Sequence, residues 1–258
     1  MKPVTYRASD GLEVPAYLTL PPDRAPRNLP LVVMPHGGPW VRVSWGFDPE
    51  VQFLATHGYA VLQPNFRGSI GYGHAFERAG YRQFGLRMQD DISDGVRWAI
   101  AEGIADPRRV AIGGASFGGY AALTGLIKTP ELYRCGMCFH GVTDWVRQLR
   151  ATSEGAPRAA LEFARMAAGD YRSEADFLAE VSPLKHIEAL QAPLLLAYGG
   201  MDPVVDIEQG RLLEKALKKH GKTYELVYEP SEGHGFASLR HAAPLYEKMD
   251  AFLKQYMP

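Results

Sequence analysis

Short, uninterrupted apolar runs recur along this chain, and between them apolar positions return every three or four residues. The runs lie near Leu31–Pro35, Ala60–Pro64, Val110–Gly114, Cys135–Val142, Pro193–Tyr198 and Thr223–Tyr228. Runs of this length suit strands buried on both faces of a parallel sheet. The intervening segments Pro49–His57, Met88–Glu102, Phe117–Lys128, Ile207–His220 and Ala243–Tyr256 carry the helical period. Ahead of them, Val4–Ala8 and Leu12–Leu20 flank an Asp10-Gly11 turn, which predicts a hairpin. The alternation predicts an α/β fold, a mostly parallel eight-stranded sheet with helices on both faces. Only Asp144–Leu190 breaks the rhythm; it is long, charged and helix-forming, and reads as a helical insertion. The Pro-rich stretch Pro21–Pro30 is too short and too near the start to divide domains, so residues 1–258 are expected to form one catalytic domain.

Candidate chemistry sits at the junctions. Gly114-Ala115-Ser116-Phe117-Gly118 is a G-x-S-x-G pentapeptide between a strand and a helix. On such a turn the serine hydroxyl is lifted clear of the sheet, and small flanking residues keep the backbone from colliding. A serine nucleophile needs a base, and the base needs an orienting acid. Asp202 follows the run ending at Tyr198, and His234 stands between two glycines after the run ending at Tyr228. Serine, acid, histidine is the chain order of α/β-hydrolases. The ends of parallel strands share one edge, where ligands bind. The expected catalytic residues are therefore Ser116, Asp202 and His234, with the Phe117 N–H as one oxyanion donor.

These motifs, with His36-Gly37-Gly38-Pro39 and Asn65-Phe66-Arg67-Gly68-Ser69-Ile70-Gly71-Tyr72-Gly73, resemble the catalytic domain of the prolyl oligopeptidase family, in its acylaminoacyl-peptidase-like branch. The resemblance runs from about residue 31 to 236 and implies an α/β-hydrolase fold. It departs at Tyr198, where the family often has His, and at Asp206, where it often has Pro. It points to Gly38 for the second oxyanion donor. His36, Tyr72 and Trp145 are expected substrate contacts, with loop shaping (His36) and core packing (Tyr72, Trp145) as the competing roles. Arg67 is expected to form a structural ion pair, and Asp206 to cap the helix that follows it. Cys135 and Cys138 imitate a redox pair, but on a strand two residues three apart face opposite ways.

A formal charge of −1 offers no basic field for nucleic acid and no polybasic face for membranes. No apolar run reaches the roughly 18 residues that span a bilayer, and the first residues lack the apolar core of a signal peptide. The expectation is a cytoplasmic serine hydrolase acting on esters and short acylated peptides, without cofactor or metal. Family members usually carry a β-propeller ahead of the hydrolase domain, whereas this chain starts at the hairpin. A stand-alone hydrolase and the catalytic half of a propeller-dependent peptidase both fit; a non-catalytic binding protein on the same scaffold is the alternative of another class. Without a propeller, the mouth formed by loops at Gly38, Ser69, Phe117 and the insertion is expected to be open, with apolar rim surface favouring a homo-oligomer.

Overall fold

In a computed structural model describing residues 1–258, the hairpin strands β1 (Lys2–Arg7) and β2 (Glu13–Thr19) pair antiparallel, and β2 pairs antiparallel with β4 (Ala60–Pro64). The remaining strands run parallel to β4: β3 (Leu29–Val33), β5 (Ala105–Ala115), β6 (Cys135–Phe139), β7 (Leu194–Gly199) and β8 (Tyr224–Glu229). Their spatial order is β1-β2-β4-β3-β5-β6-β7-β8. All eight expected strands are present in one α/β-hydrolase sheet, with ends shifted by a few residues.

The central strands are buried on both faces. On one face they pack against α3 (Arg87–Ala101), α4 (Phe117–Lys128) and α8 (Glu208–Lys219) through residues such as Ile92, Leu123 and Leu213. On the other lie α1 (Pro49–Thr56) and α9 (Leu239–Tyr256), contributing Leu54, Met249 and Phe252. Strand β6 shows the two-faced pattern in single residues. Cys138 joins the first layer and Cys135 the second. Both thiols are free, and burial pushes each up to about 12. They form no redox pair.

Helix α1 starts where its sequence dictates: the Asp48 carboxylate accepts from the N–H groups of Glu50 and Val51, with Pro49 in the first turn. The short helix α2 (His74–Arg78) was not expected, and α9 begins four residues before its predicted start, with Pro244 inside it. The insertion folds into α5 (Trp145–Ser153), α6 (Arg158–Ala167), α7 (Ala175–Glu180) and a 3-10 segment Pro183–Ala189. Phe163 of α6 meets Trp40 and Tyr81 edge-on, at centroid distances of 5.7 and 5.9 Å, so the insertion leans over the loop after β3. No helix is long and apolar enough to cross a membrane.

Arg67, in the loop after β4, forms the expected ion pair. Its guanidinium donates to both oxygens of Asp91 on α3, at 2.8 and 2.6 Å, and to both oxygens of Asp10 in the hairpin turn, at 2.8 and 3.0 Å. The Arg67 backbone N–H adds a third bond to Asp91. One side chain thus joins the hairpin, a site loop and a helix. Asp91 is fully buried, and its loss leaves the buried guanidinium with the partly exposed Asp10 as its remaining carboxylate, at a cost of about 3 kcal/mol. Asp91→Ala is therefore expected to lose stability on that scale in urea unfolding, whereas Glu13→Ala, which breaks an exposed pair with Arg7, should change it by less than about 1 kcal/mol.

Candidate active site

Ser116 sits between β5 and α4 with φ 59° and ψ −122°, a left-handed conformation that a non-glycine residue adopts only when its surroundings impose it. Its N–H is fixed to the Phe139 carbonyl at 2.9 Å. The flanking glycines are required by space. A Cβ at Gly118 would strike the carbonyl of Pro35, one at Gly114 would come within 2.8 Å of that same oxygen, and one at Gly119 within 2.9 Å of the Gly141 Cα. Helix α4 begins at Phe117, whose N–H has no intrahelical acceptor because it belongs to the first turn.

Asp202 lies in the loop after β7 with its side chain 1% exposed. Its Oδ1 accepts from the N–H groups of Val204 and Val205, at 2.8 and 2.9 Å. Its Oδ2 is 2.7 Å from His234 Nδ1. The acid and histidine loops are pressed together through glycine: a Cβ on Gly199 would collide with the carbonyls of Glu232 and Gly233. The Gly200 and Met201 N–H groups donate to the Glu229 and Glu232 carbonyls, both at 2.9 Å. The Glu232 carboxylate accepts from the Ala237 and Ser238 N–H groups and from His241, which closes the loop behind His234. No hydrogen bond joins Ser116 to His234 here; such contacts commonly tighten only when substrate binds.

A residue that sequence reasoning passed over completes the environment of the acid. His140 follows β6 at φ 50°, buried, with Nδ1 3.6 Å from Asp202 Oδ2. Burial alone would raise the Asp202 carboxyl. The His140 and His234 imidazoles and the two loop N–H groups outweigh it, so the group is held well below the usual carboxylate range. His140, Asp202 and His234 offer ligand atoms within 4.8 Å of one another, a spacing that also invites a metal. The 2.7 Å contact argues for a direct hydrogen bond, since ligands around a tetrahedral zinc lie about 3.3 Å apart.

The His36–Gly38 loop lies beside Ser116. The backbone of Gly37 abuts the nucleophile: a Cβ there would sit 3.4 Å from Ser116 Cβ. The Gly38 N–H belongs to the peptide that follows Gly37. The three residues expected to contact substrate each have partners within the protein. Burial pushes the His36 imidazole down to about 4, so it is neutral near pH 7. Its Nδ1 lies 2.7 Å from the Gly37 carbonyl and its Nε2 2.8 Å from Ser69 Oγ, so it shapes the loop. Asn65 Nδ2 donates to the Tyr72 hydroxyl at 2.7 Å while its amide also holds the backbone of Val43. Trp145 is buried, packed against Phe84, Phe117 and Tyr120 in the core. Ser69 and the Phe117 side chain are buried too. Asp206 lies one residue before the cap of α8, which is Ile207, and its carboxylate accepts from Glu208 N–H at 2.7 Å.

A serine held on a strained turn after the central strand of a mostly parallel sheet, with an acid and a histidine at neighbouring strand ends, defines the class: a serine hydrolase of α/β-hydrolase fold. Comparison with known proteins narrows it. The sequence profile of the prolyl oligopeptidase family matches residues 45–258, and the chain belongs to that family, peptidase family S9. It is 38% identical to dipeptidyl aminopeptidase BIII of Pseudoxanthomonas mexicana, over 98% of this chain and 38% of that protein. Against the acylamino-acid-releasing enzyme of Mus musculus it is 30% identical, over 84% of this chain and 30% of that one. A puromycin-hydrolyzing peptidase of Mycobacterium tuberculosis superimposes with a TM-score of 0.90 at 29% identity, over 99% of this chain and 39% of that one. The chain thus spans between 30% and 39% of the length of these relatives.

The depressed Asp202 carboxyl gives a stability signature. Its folded value lies below the ordinary value of about 3.9, so the stabilisation is fully present above that pH and disappears as acid titrates the folded group. Asp202→Asn is expected to cost about 2 kcal/mol at neutral pH. In urea melts the gap to wild type should stay constant down to about pH 5 and shrink only below about pH 4.

Proposed function

We propose that this chain is the catalytic unit of a serine hydrolase that cleaves esters and short acylated peptides through an acyl-enzyme. Ser116 Oγ attacks the carbonyl carbon while His234 takes its proton. His234 then returns that proton to the leaving alkoxide or amine, and water repeats the sequence to release the acid. Asp202 fixes His234 with its proton on Nδ1 and stabilises the imidazolium. The N–H groups of Phe117 and Gly38 receive the oxyanion, each donor contributing about 3–4 kcal/mol. The observation that carries this reading is the 2.7 Å Asp202–His234 pair at the same sheet edge as the strained serine. Phe117, buried and backed by Trp145 at a centroid distance of 6.0 Å, anchors the start of α4 next to Ser116. Relatives named for dipeptidyl aminopeptidase and acylamino-acid-releasing activities support a peptide substrate. Ester cleavage is the easier reaction, because an alkoxide leaves with less acid assistance than an amine.

Ser116→Ala is expected to lower turnover of an activated ester by at least about ten-thousand-fold with the fold unchanged. Full turnover in that variant, measured beside an unaltered circular dichroism spectrum, would refute the assignment. His234→Ala should remove most of the rate as well.

The carboxyl-end loops carry large exposed apolar side chains: Trp45 is 71% exposed, Phe47 83% and Leu239 84%, with Met201 also exposed. So much apolar surface on a soluble chain marks a contact face. We infer a site mouth that tolerates bulky leaving groups, and a chain that self-associates through this rim. Esters sharing one acyl group should show kcat/KM values within about tenfold from methyl to naphthyl leaving groups. Light scattering should give a dimer or larger species that Trp45→Asp with Phe47→Asp returns to monomer. A monomer with a sharp leaving-group cut-off would mean that the insertion acts as a lid.

A further inference from the structure

Beneath the histidine loop, on the α1–α9 side of the sheet, is a cavity of about 130 Å³ that the hydrolytic reading leaves unused. Its walls are largely apolar, with Phe139, Phe236, Leu245 and Met249 prominent. One carboxylate enters it, that of Glu50 in the first turn of α1. Glu50 Oε1 is shielded from solvent, and no protein donor reaches it. A buried acceptor without a donor is costly, so most native proteins satisfy such groups.

The charged and titratable groups around Glu50 do not neutralise it. Asp48, at the cap of its own helix, is acidic. His140 lines the cavity from the end of β6, and Tyr246 from α9. Arg42 lines the adjoining open cleft of about 350 Å³. No ion pair joins Glu50 to His140 or Arg42. Burial, and then Asp48, push the Glu50 carboxyl up to about 7.

We propose that this cavity is a second ligand site for a small aliphatic ammonium, its charge on Glu50 and its hydrocarbon tail against Phe236, Leu245 and Met249. An apolar hole closed at one end by an unpaired carboxylate complements a cation with a short alkyl chain. Size sets the limit: an apolar cavity of about 150 Å³ holds benzene, so about five or six heavy atoms fit here. No residue of the proposed triad lines the cavity, yet Ala115, His140 and Gly235 each adjoin or contact one. The site stands independently of the hydrolase reading, and its occupancy is placed to be felt by the triad.

Calorimetry with n-butylammonium, and with n-butanol as its neutral counterpart, tests this at about pH 8, where Glu50 is mostly ionised. The cation should bind one to one, about tenfold or more tighter than the alcohol. Glu50→Gln should weaken the cation by about tenfold or more and leave the alcohol within about twofold. Ala242→Leu, which fills the cavity from α9 without touching the carboxylate, should abolish both, and it decides the matter if the glutamine variant does not fold. Binding should weaken from about pH 8 to about pH 6 as Glu50 takes up a proton. Ser116→Ala should bind as wild type does, whatever its catalytic fate. No saturable binding would mean a hydrated cavity only. That result, equal affinity for cation and alcohol, or binding lost with Ser116→Ala would each overturn the proposal.

Discussion

At Gly118 the first turn of α4 presses so closely on the carbonyl of Pro35 that no side chain fits between them. That contact joins the two central strands, β3 and β5, at the edge where the chemistry lies. It sets the His36–Gly38 loop against Ser116 and leaves the Phe117 N–H at the start of a helix, where the positive end of the dipole favours a developing oxyanion. Gly114 and Gly119 extend the same close approach to either side, against Pro35 and Gly141. The strained φ of Ser116 persists because this backbone packing over-determines it.

Much of the fold was legible because strands buried on both faces must read as continuous apolar runs. The sheet, the elbow and the Asp202 and His234 positions all announced themselves through strand ends followed by glycine-rich loops. What the chain concealed was of another kind. His140 lies inside a run that reads as strand as far as Val142, and only its left-handed φ turns it toward Asp202. Glu50 looks like an ordinary acidic complement to a helix N-terminus, and its burial depends on α9, almost two hundred residues later. Glu232 stands two residues before His234, yet its duty as acceptor for the loop beyond His234 depends on a turn that no local pattern specifies.

The insertion was legible only as helical. Its amphipathic period predicts helices, but not what they lean on. In the structure Phe163 lies across Trp40 and Tyr81, and Arg82 pairs with Glu174 beside α7. The insertion is therefore tied through Trp40 to the loop that follows His36-Gly38. The aromatic cluster of Phe84, Phe117, Tyr120 and Trp145 makes a second connection, this time beneath the nucleophile.

The contact between Gly199 and the carbonyls of Glu232 and Gly233 has a dynamic consequence. Two loops from different strands, locked by backbone hydrogen bonds and by the Asp202–His234 bond, must fluctuate as one clamp. Motion at this edge then leaves the acid–imidazole pair intact and varies chiefly the gap between imidazole and serine. The backbone packing between the two loops thus guards the acid–imidazole geometry against motion at the sheet edge.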